Sequence, residues 1–421
     1  MSFSKISVIG LGYIGLPTAA VFGAHQVEVI GVDVDPMIVD TINQGKVHIV
    51  EPDLDAVVQK GVETGVLRAT LTPETADAFL IAVPTPFIGE GHDPDLRYIQ
   101  AAATAIAPVL VTGNLVILES TSPVGATEKM AQWLAQARPD LTFPDTHGES
   151  SDIRIAYCPE RVLPGHVLRE LIENDRVIGG MTPKCADQAV ALYNTFLQGS
   201  CFITDCRTAE MAKLTENSFR DVNIAFANEL SMICEPLGIN VWELIRLANR
   251  HPRVNILQPG PGVGGHCIAV DPWFIVSKSP DEAKLIRLAR EVNDHKPTWV
   301  LGKLQEAVSA HLKAFPGKIV TDVSVGLLGL AFKPNVDDLR ESPAMQIAET
   351  VVHSHAGPVL ICEPHIEQLP AGLGKARLIG AQDCVQAADV VVLLVDHQDF
   401  ETITMDELTN KQIVDTRGNW T

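Results

Sequence analysis

The segment KISVIGLGYIGLP, beginning at Lys5, limits the fold more than any other stretch of the chain. Lys5–Ile9 alternates and ends on an apolar step, as a strand does. A helix-like stretch follows from Leu16 to Ala24, and VEVIGVD then reads as a second strand ending at Asp33. Gly10, Gly12 and Gly15 thus form G-x-G-x-x-G between a strand and a helix, and an acid closes the next strand. Gly10 permits the tight turn, Gly12 lets backbone approach a pyrophosphate, and Gly15 lets the helix pack close to the sheet. The helix N-terminus attracts phosphate charge. The pattern predicts a dinucleotide site. Asp33 is expected to bind a ribose diol and to repel a 2′-phosphate, with no Arg or Lys close behind it, so NAD is expected rather than NADP.

Further strand signals follow. AFLIAVPTP (Ala78–Pro86) and NLVILESTSPVG (Asn114–Gly125) both end in Thr, Ser and Pro. In a parallel sheet those carboxyl ends line the ligand crevice, which makes Thr85 and Thr121 candidate cofactor neighbours, although both also suit ordinary turns. DIRIAYCPE is a further strand, leading into Glu160 and Arg161.

From about Ala186 to Asn249 the pattern turns helical. Met211, Leu214, Phe219, Val222 and Phe226 fall near one stripe. Lys213, Asn217 and Arg220 share a different face, at spacings of four and three. A Lys and an Asn one turn apart can both address one developing oxyanion; a solvated polar face has the same spacing. Another helical stretch is expected from about Asp281 to Ala314. DVSVGLLG then restarts the strand-then-glycine pattern, followed by VLICEP, VVVLLVDH and IVDTRG. Gly326 and Gly329 lack the full dinucleotide fingerprint. FKPNVDDLRESPA supplies Lys333 and Arg340 at this first turn. The expected fold is α/β: two doubly wound Rossmann-like domains joined by a central helical region. The expected boundaries are 1–185 for the NAD domain, 186–314 for the centre and 315–421 for the last domain.

A formal net charge of −20 argues against non-specific binding to nucleic acid or anionic membrane. No apolar run reaches the ~20 residues that span a bilayer, and the chain enters structure directly, so a cytosolic protein is expected. Eight cysteines without a C-x-x-C pair predict neither a disulfide scaffold nor a zinc site, and no metal is expected.

One thiol stands apart. In PGVGGHCIAVDP, Cys267 follows Gly262, Gly264 and Gly265, with His266 before it and Asp271 four residues on. Glycine backbone approaches a ligand closely. A nicotinamide cofactor beside an attacking cysteine points to particular chemistry. Oxidising an alcohol to an aldehyde needs only a base. Going on to the acid needs a tetrahedral adduct, and a cysteine supplies it as a thiohemiacetal that becomes a thioester. A packed, inert thiol is the plain alternative.

GLGYIGLP, ESTSPVG, CPERVLPG, AEMAKLTENSFRDVNIAFANE, GPGVGGHCIAVDP and GLAFKPNVDDLRESPA run in order across nearly the whole chain. Together they resemble the UDP-glucose/GDP-mannose dehydrogenase family. The resemblance implies oxidation of a sugar C6 alcohol to a carboxylate with two NAD and one water. It implies Cys267 as nucleophile, Lys213 as acid/base or oxyanion partner with Asn217 beside it, Asp271 as a residue that positions water, and Glu160 in thioester hydrolysis. By the same resemblance Tyr13, Ile14, Asp33, Thr85, Thr127 and Arg340 contact NAD. Arg161, Val162, Lys213, Asn217, Arg220, His251, Arg253, Gly264, Phe332, Lys333 and Arg417 contact the UDP-sugar. The glucose branch carries Pro-Glu-Phe-Leu where this chain has Pro159, Glu160, Arg161 and Val162. That departure argues against glucose, and the resemblance of CPERVLPG, LANRHPRVNILQPGPGVGGHCIAVDPWF and the closing VDTRG to one branch of the family implies UDP-N-acetyl-D-mannosamine as the sugar, in the making of surface polysaccharide of the enterobacterial common antigen type. A homodimer is implied too. The rivals are the same oxidation on another UDP-hexose or UDP-N-acetylhexosamine, a two-electron β-hydroxyacid dehydrogenase, and a non-catalytic NAD or nucleotide-sugar sensor.

Overall fold

The structure is a computed structural model describing residues 3–89, 91–163, 165–265 and 267–420. The chain divides into two compact units, 1–216 and 217–421.

The first unit is built on strands β1 (Lys5–Ile9), β2 (Glu28–Val32), β3 (Leu67–Thr70), β4 (Ala78–Ile81), a small hairpin β5 (Phe87–Ile88) and β6 (Asp93–Pro94), then β7 (Leu115–Leu118), β8 (Arg154–Tyr157), β9 (Arg176–Gly180) and β10 (Cys201–Asp205). The main sheet has the order β10-β9-β8-β7-β4-β1-β2-β3. Its neighbours are parallel except the β8–β9 pair. Side chains alternate across a strand, so each strand feeds two cores. Ile6, Val8, Val29, Leu80 and Ile117 join one apolar cluster. Ile9, Ile30, Val32, Phe79, Ile81 and Leu118 join the other. Burial on both faces is why these strands read as continuous apolar runs.

Two expectations shift here. The expected boundary at 185 falls inside the helix Pro183–Tyr193, and the sheet continues to Asp205. The helical pattern expected from Ala186 is broken by β10, which adds CFITD as an edge strand parallel to β9. Phe202 and Ile203 are exposed there, so the strand lacks the apolar burial that marks the inner ones.

The second unit carries β11 (Val325–Leu328), β12 (Val359–Cys362), β13 (Arg377–Leu378), β14 (Val390–Leu393) and β15 (Gln412–Asp415). Their order, β13-β12-β11-β14-β15, is all parallel and doubly wound. Val325, Leu327, Ile361 and Val392 face one core, Leu328, Leu360, Val391 and Leu393 the other. The helix Lys284–Ala314 adds Val300, Leu304 and Val308, spaced by four, to the first of these cores. It begins three residues after the expected Asp281. The helices Cys206–Cys234, Val241–Ala248 and Asp271–Lys278 complete the central region. Asn240 caps the middle one by accepting from Glu243 N at 3.0 Å.

The sequence placed five apolar residues of the long helix on one stripe. The structure divides them. Leu214 is buried, whereas Met211, Phe219 and Phe226 are exposed. No helix among the described residues is long and apolar enough to cross a membrane.

Candidate active site

The glycine turn has the shape a dinucleotide needs. Gly10 has φ +91°, and a methyl there would lie 2.7 Å from the Ala82 carbonyl oxygen. A methyl at Gly15 would collide with the Gly10 carbonyl, so the helix Gly15–Ala24 starts here only without a side chain. Gly12 has open space within 4 Å of where a side chain would be, which leaves room for a pyrophosphate. Asp33 ends β2 partly buried. Its Oδ2 accepts from Leu11 N at 2.9 Å and its Oδ1 from Asp35 N at 3.0 Å. Each carboxylate oxygen keeps a lone pair for a ribose hydroxyl. Thr85, four residues past β4, has its Oγ1 buried with no hydrogen-bond partner among the described residues. Tyr13 and Ile14, after β1, and Thr121, after β7, are half-buried. These residues fit NAD. Thr127 is fully buried, and its hydroxyl donates to Glu210 at 2.6 Å. Arg340, in the second unit, is exposed and pairs with Asp338 at 2.6 Å.

Glu210 itself was not legible as a site residue. Its carboxylate accepts from Gly125 N at 2.6 Å and Thr127 N at 2.8 Å, capping the helix Ala126–Ala137. It sits three residues before Lys213, so it fixes this part of the long helix against the loop after β7. Lys213 is half-buried. Glu160 is buried after β8. It accepts from Arg161 N at 2.7 Å and pairs with Arg176 at 3.4 Å. Arg161 pairs with Glu216 at 2.8 Å, and Val162 is half-buried.

In the second unit, Cys267 is the one exposed thiol among eight. It closes a turn in which Val270 N and Asp271 N donate to its carbonyl at 3.1 and 2.9 Å. Asp271 opens the helix Asp271–Lys278, is buried, and accepts from Asn217 Nδ2 at 2.5 Å. His266 lies outside the described residues. The bare backbone before the thiol has a steric cause. A methyl at Gly264 would collide with the Glu341 carbonyl; at Gly265 (φ +84°) it would lie 3.0 Å from the Phe332 ring. At Gly260 it would meet the Arg417 guanidinium at 2.6 Å. The loop therefore lies against the turn that carries Phe332 and Lys333, and against Arg417. Arg417 Nε donates to Asp396 at 2.6 Å. His251, Arg253 and Arg220 are exposed, and Arg253 N donates to His251 Nδ1 at 3.3 Å.

A buried polar chain holds this loop from beneath. Asn228 Oδ1 accepts from Gly260 N at 2.8 Å, and its amide donates to Asn293 at 2.9 Å. Asn293 donates to Asp221 Oδ1 at 2.8 Å, where Arg290 also donates at 2.7 Å. All four are buried. Their only sequence signal is polar residues at inward helical positions.

The last sheet repeats a device of the first. Gly329 has φ +92°, and Glu363, after β12, accepts from Leu330 N at 2.7 Å as Asp33 accepts from Leu11 N. Glu363, His365 and His397 offer donor atoms within 4.8 Å of one another. Asn335 N donates to His397 Nδ1 at 2.9 Å, which leaves the proton on Nε2, 3.1 Å from Glu363. That tautomer makes the group a hydrogen-bonded clasp on the turn.

The family models of the UDP-glucose/GDP-mannose dehydrogenase family match the chain three times. The NAD binding domain covers residues 4–197, the central domain 207–295 and the UDP binding domain 326–421. The chain is 63% identical over 421 residues to the UDP-N-acetyl-D-mannosamine dehydrogenase of Escherichia coli (strain K12), with both chains fully covered. It is 62% identical over 420 residues to the NDP-N-acetyl-D-galactosaminuronic acid dehydrogenase of Ralstonia nicotianae, covering 100% of this chain and 97% of that one. Among solved structures, the UDP-D-ManNAc dehydrogenase of Pyrococcus horikoshii superposes with a TM-score of 0.89 at 38% identity, covering 99% of this chain and 96% of that one. The chain belongs to the UDP-glucose/GDP-mannose dehydrogenase family, whose members are NAD-dependent oxidoreductases.

Proposed function

We propose that this enzyme oxidises the C6 alcohol of UDP-N-acetyl-D-mannosamine to the carboxylate, using two NAD and one water. The observation that carries this reading is full-length identity of 63% with an enzyme named for that substrate. Exposure of Cys267 alone among eight thiols supports the covalent half of it. NAD, when bound, accepts the hydride. In the first oxidation C6 loses a hydride and its hydroxyl loses a proton, which Lys213 receives. In the second, the Cys267 sulfur bonds to the aldehyde carbon as the thiol proton passes to the aldehyde oxygen; a second hydride then leaves and that proton is lost to solvent, which gives a thioester. Water then replaces the sulfur, and the acid and the free thiol are released. Asp271, held by Asn217, and Glu160, held by Arg176, are the carboxylates assigned to orient and deprotonate that water. Asp33 and Thr85 hold NAD. Gly264, Phe332, Lys333 and Arg417 grip the UDP-sugar, with Arg161, Val162, Arg220, His251 and Arg253 contributing around it.

The reaction belongs in the cytosol, where it supplies an acidic amino sugar for surface polysaccharide of the enterobacterial common antigen type. The enzyme acts as a homodimer. Phe219, Phe226 and Ile233, seven residues apart on the long helix, are 68%, 50% and 48% exposed, which is the pattern of a face covered by a second helix.

A second reading rests on the Ralstonia relative: the same oxidation on a galactosamine derivative. The test is NADH released per mole of UDP-N-acetylmannosamine, beside UDP-N-acetylgalactosamine, UDP-N-acetylglucosamine and UDP-glucose. Two NADH from the mannosamine sugar alone is expected. Two from another sugar overturns the substrate. One from any sugar fits a two-electron dehydrogenase, and none fits a sensor.

A further inference from the structure

The carboxyl ends of β7 and β8 and the start of β9 meet in a buried cluster that the reaction above uses only in part. Glu119 follows β7, Cys158 and Glu160 follow β8, and Arg176 opens β9. Tyr193 comes from the helix Pro183–Tyr193. All five are buried. Arg176 reaches Glu160 at 3.4 Å and Cys158 Sγ at 3.7 Å. Its guanidinium stacks 4.4 Å from the Tyr193 ring centre. Tyr193 donates its hydroxyl to Glu119 Oε1 at 2.7 Å, and Glu119 Oε2 is buried with no hydrogen-bond partner among the described residues.

The charges in this cluster do not balance when every carboxyl is ionised. Burial pushes the Cys158 thiol up to about 12 and the Tyr193 phenol well above its ordinary range, so both stay neutral. That leaves one cation facing two buried carboxyls. Glu160 has the direct contact with Arg176 and a backbone N–H besides. Glu119 has one neutral donor and a bare oxygen. The proton that relieves the imbalance therefore belongs on Glu119. Burial raises its carboxyl to about 7, with Arg176 opposing the rise and the Glu160 charge adding to it.

We propose that Glu119 is a positioning residue for Glu160: it stores one proton in the cluster, and by holding or releasing it sets how fully Arg176 is committed to Glu160. Protonated, Glu119 leaves the guanidinium to Glu160 alone. Ionised, it competes for the same cation and repels the same carboxylate. The inference rests on the proposed part of Glu160 in thioester hydrolysis, which is where the effect appears. Glu119 touches no reacting atom in this scheme; it acts through Arg176.

The test is the pH profile of the hydrolytic half-reaction, followed with aldehyde substrate and NAD between pH 5.5 and 9. Wild type is expected to inflect near neutrality. Glu119→Gln, which fixes the neutral form, is expected to lose that inflection while KM for NAD and for sugar nucleotide stays put. Tyr193→Phe removes a hydrogen bond that favours the ionised form, so the inflection is expected at higher pH. If Glu119→Gln fails to fold, Tyr193→Phe alone carries the test. A wild-type profile flat through neutrality overturns the proposal. So does an inflection that neither variant moves. Glu160→Gln keeps the two ideas apart. Wild-type hydrolysis in that variant sinks the role of Glu160 itself, whereas slow hydrolysis with an unmoved inflection in Glu119→Gln sinks only the role of Glu119.

Discussion

Asn217 donates its side-chain amide to the Asp271 carboxylate, and both residues are buried. The bond ties the long helix to the helix that opens four residues after Cys267. Asn217→Ala leaves a buried carboxylate short of this donor. A loss of roughly 1–3 kcal/mol in urea unfolding is expected. Acid formation is expected to fall on the order of 100-fold, because small displacements of reacting groups are costly in rate. Full activity in a destabilised variant would separate the two effects and remove Asn217 from the chemistry.

Thiol reactivity is expected to be selective. Seven cysteines are buried or half-buried, and burial pushes Cys158, Cys362 and Cys384 up to about 12, which keeps them protonated and inert. Limiting iodoacetamide should give one adduct, at Cys267, by peptide mass mapping, with acid formation lost in step. Cys267→Ser should retain sugar-nucleotide binding and make almost no acid. Acid at the normal yield from that variant would rule out the thioester.

Gly264→Ala tests the loop. The added methyl meets backbone, the Glu341 carbonyl, which cannot swing aside as a flexible side chain would. The displacement is expected to cost roughly 1–3 kcal/mol. Calorimetry should show UDP-sugar affinity at least about tenfold weaker, as 1.4 kcal/mol implies, and NAD affinity unchanged. Equal loss of both ligands would point to general unfolding.

Two buried groups give the units opposite pH responses. Lys296 lies 3.7 Å above the Trp299 ring and donates to Ser231 at 2.5 Å; burial lowers its ammonium to about 7. Between about 7 and its ordinary value the unfolded chain binds this proton and the folded chain does not, so the contribution of Lys296 to stability rises with pH across that window. Glu119 runs the other way. Its folded carboxyl sits near 7, above its ordinary value, so between the two the folded state binds the extra proton and stability falls as pH rises. Lys296→Met is expected to stabilise the protein by roughly 1–3 kcal/mol at pH 7 and by less at pH 9.5. A gain of equal size at both pH values, by urea titration, would exclude the charge as its cause.

Local features are legible in the chain itself. The turn Gly10–Gly15, the acid at Asp33 and the apolar strands at 78–81, 115–118 and 390–393 each announce themselves within a few residues, because sterics and two-sided burial act at short range. The glycine loop before Cys267 was visible for the same reason, though its cause, the approach of Phe332 and Glu341, was not. What is not legible depends on partners far along the chain. Glu210 finds Gly125 across 85 positions, and Asn228 finds Asn293 across 65. A polar residue on an inward helical position looks like noise until the fold supplies its partner. The edge strand Cys201–Asp205 escaped because its exposed Phe202 and Ile203 give no clear inside and outside.

The contact of Gly264 and Gly265 with Glu341 and Phe332 has an evolutionary side. The loop that carries Cys267 rests in part on residues matched to the UDP binding domain. Grafting that domain from a relative with another sugar preference would import a new bed for the thiol along with the new grip. A substitution that reshapes the Phe332 or Glu341 turn is therefore expected to move the Cys267 loop as well.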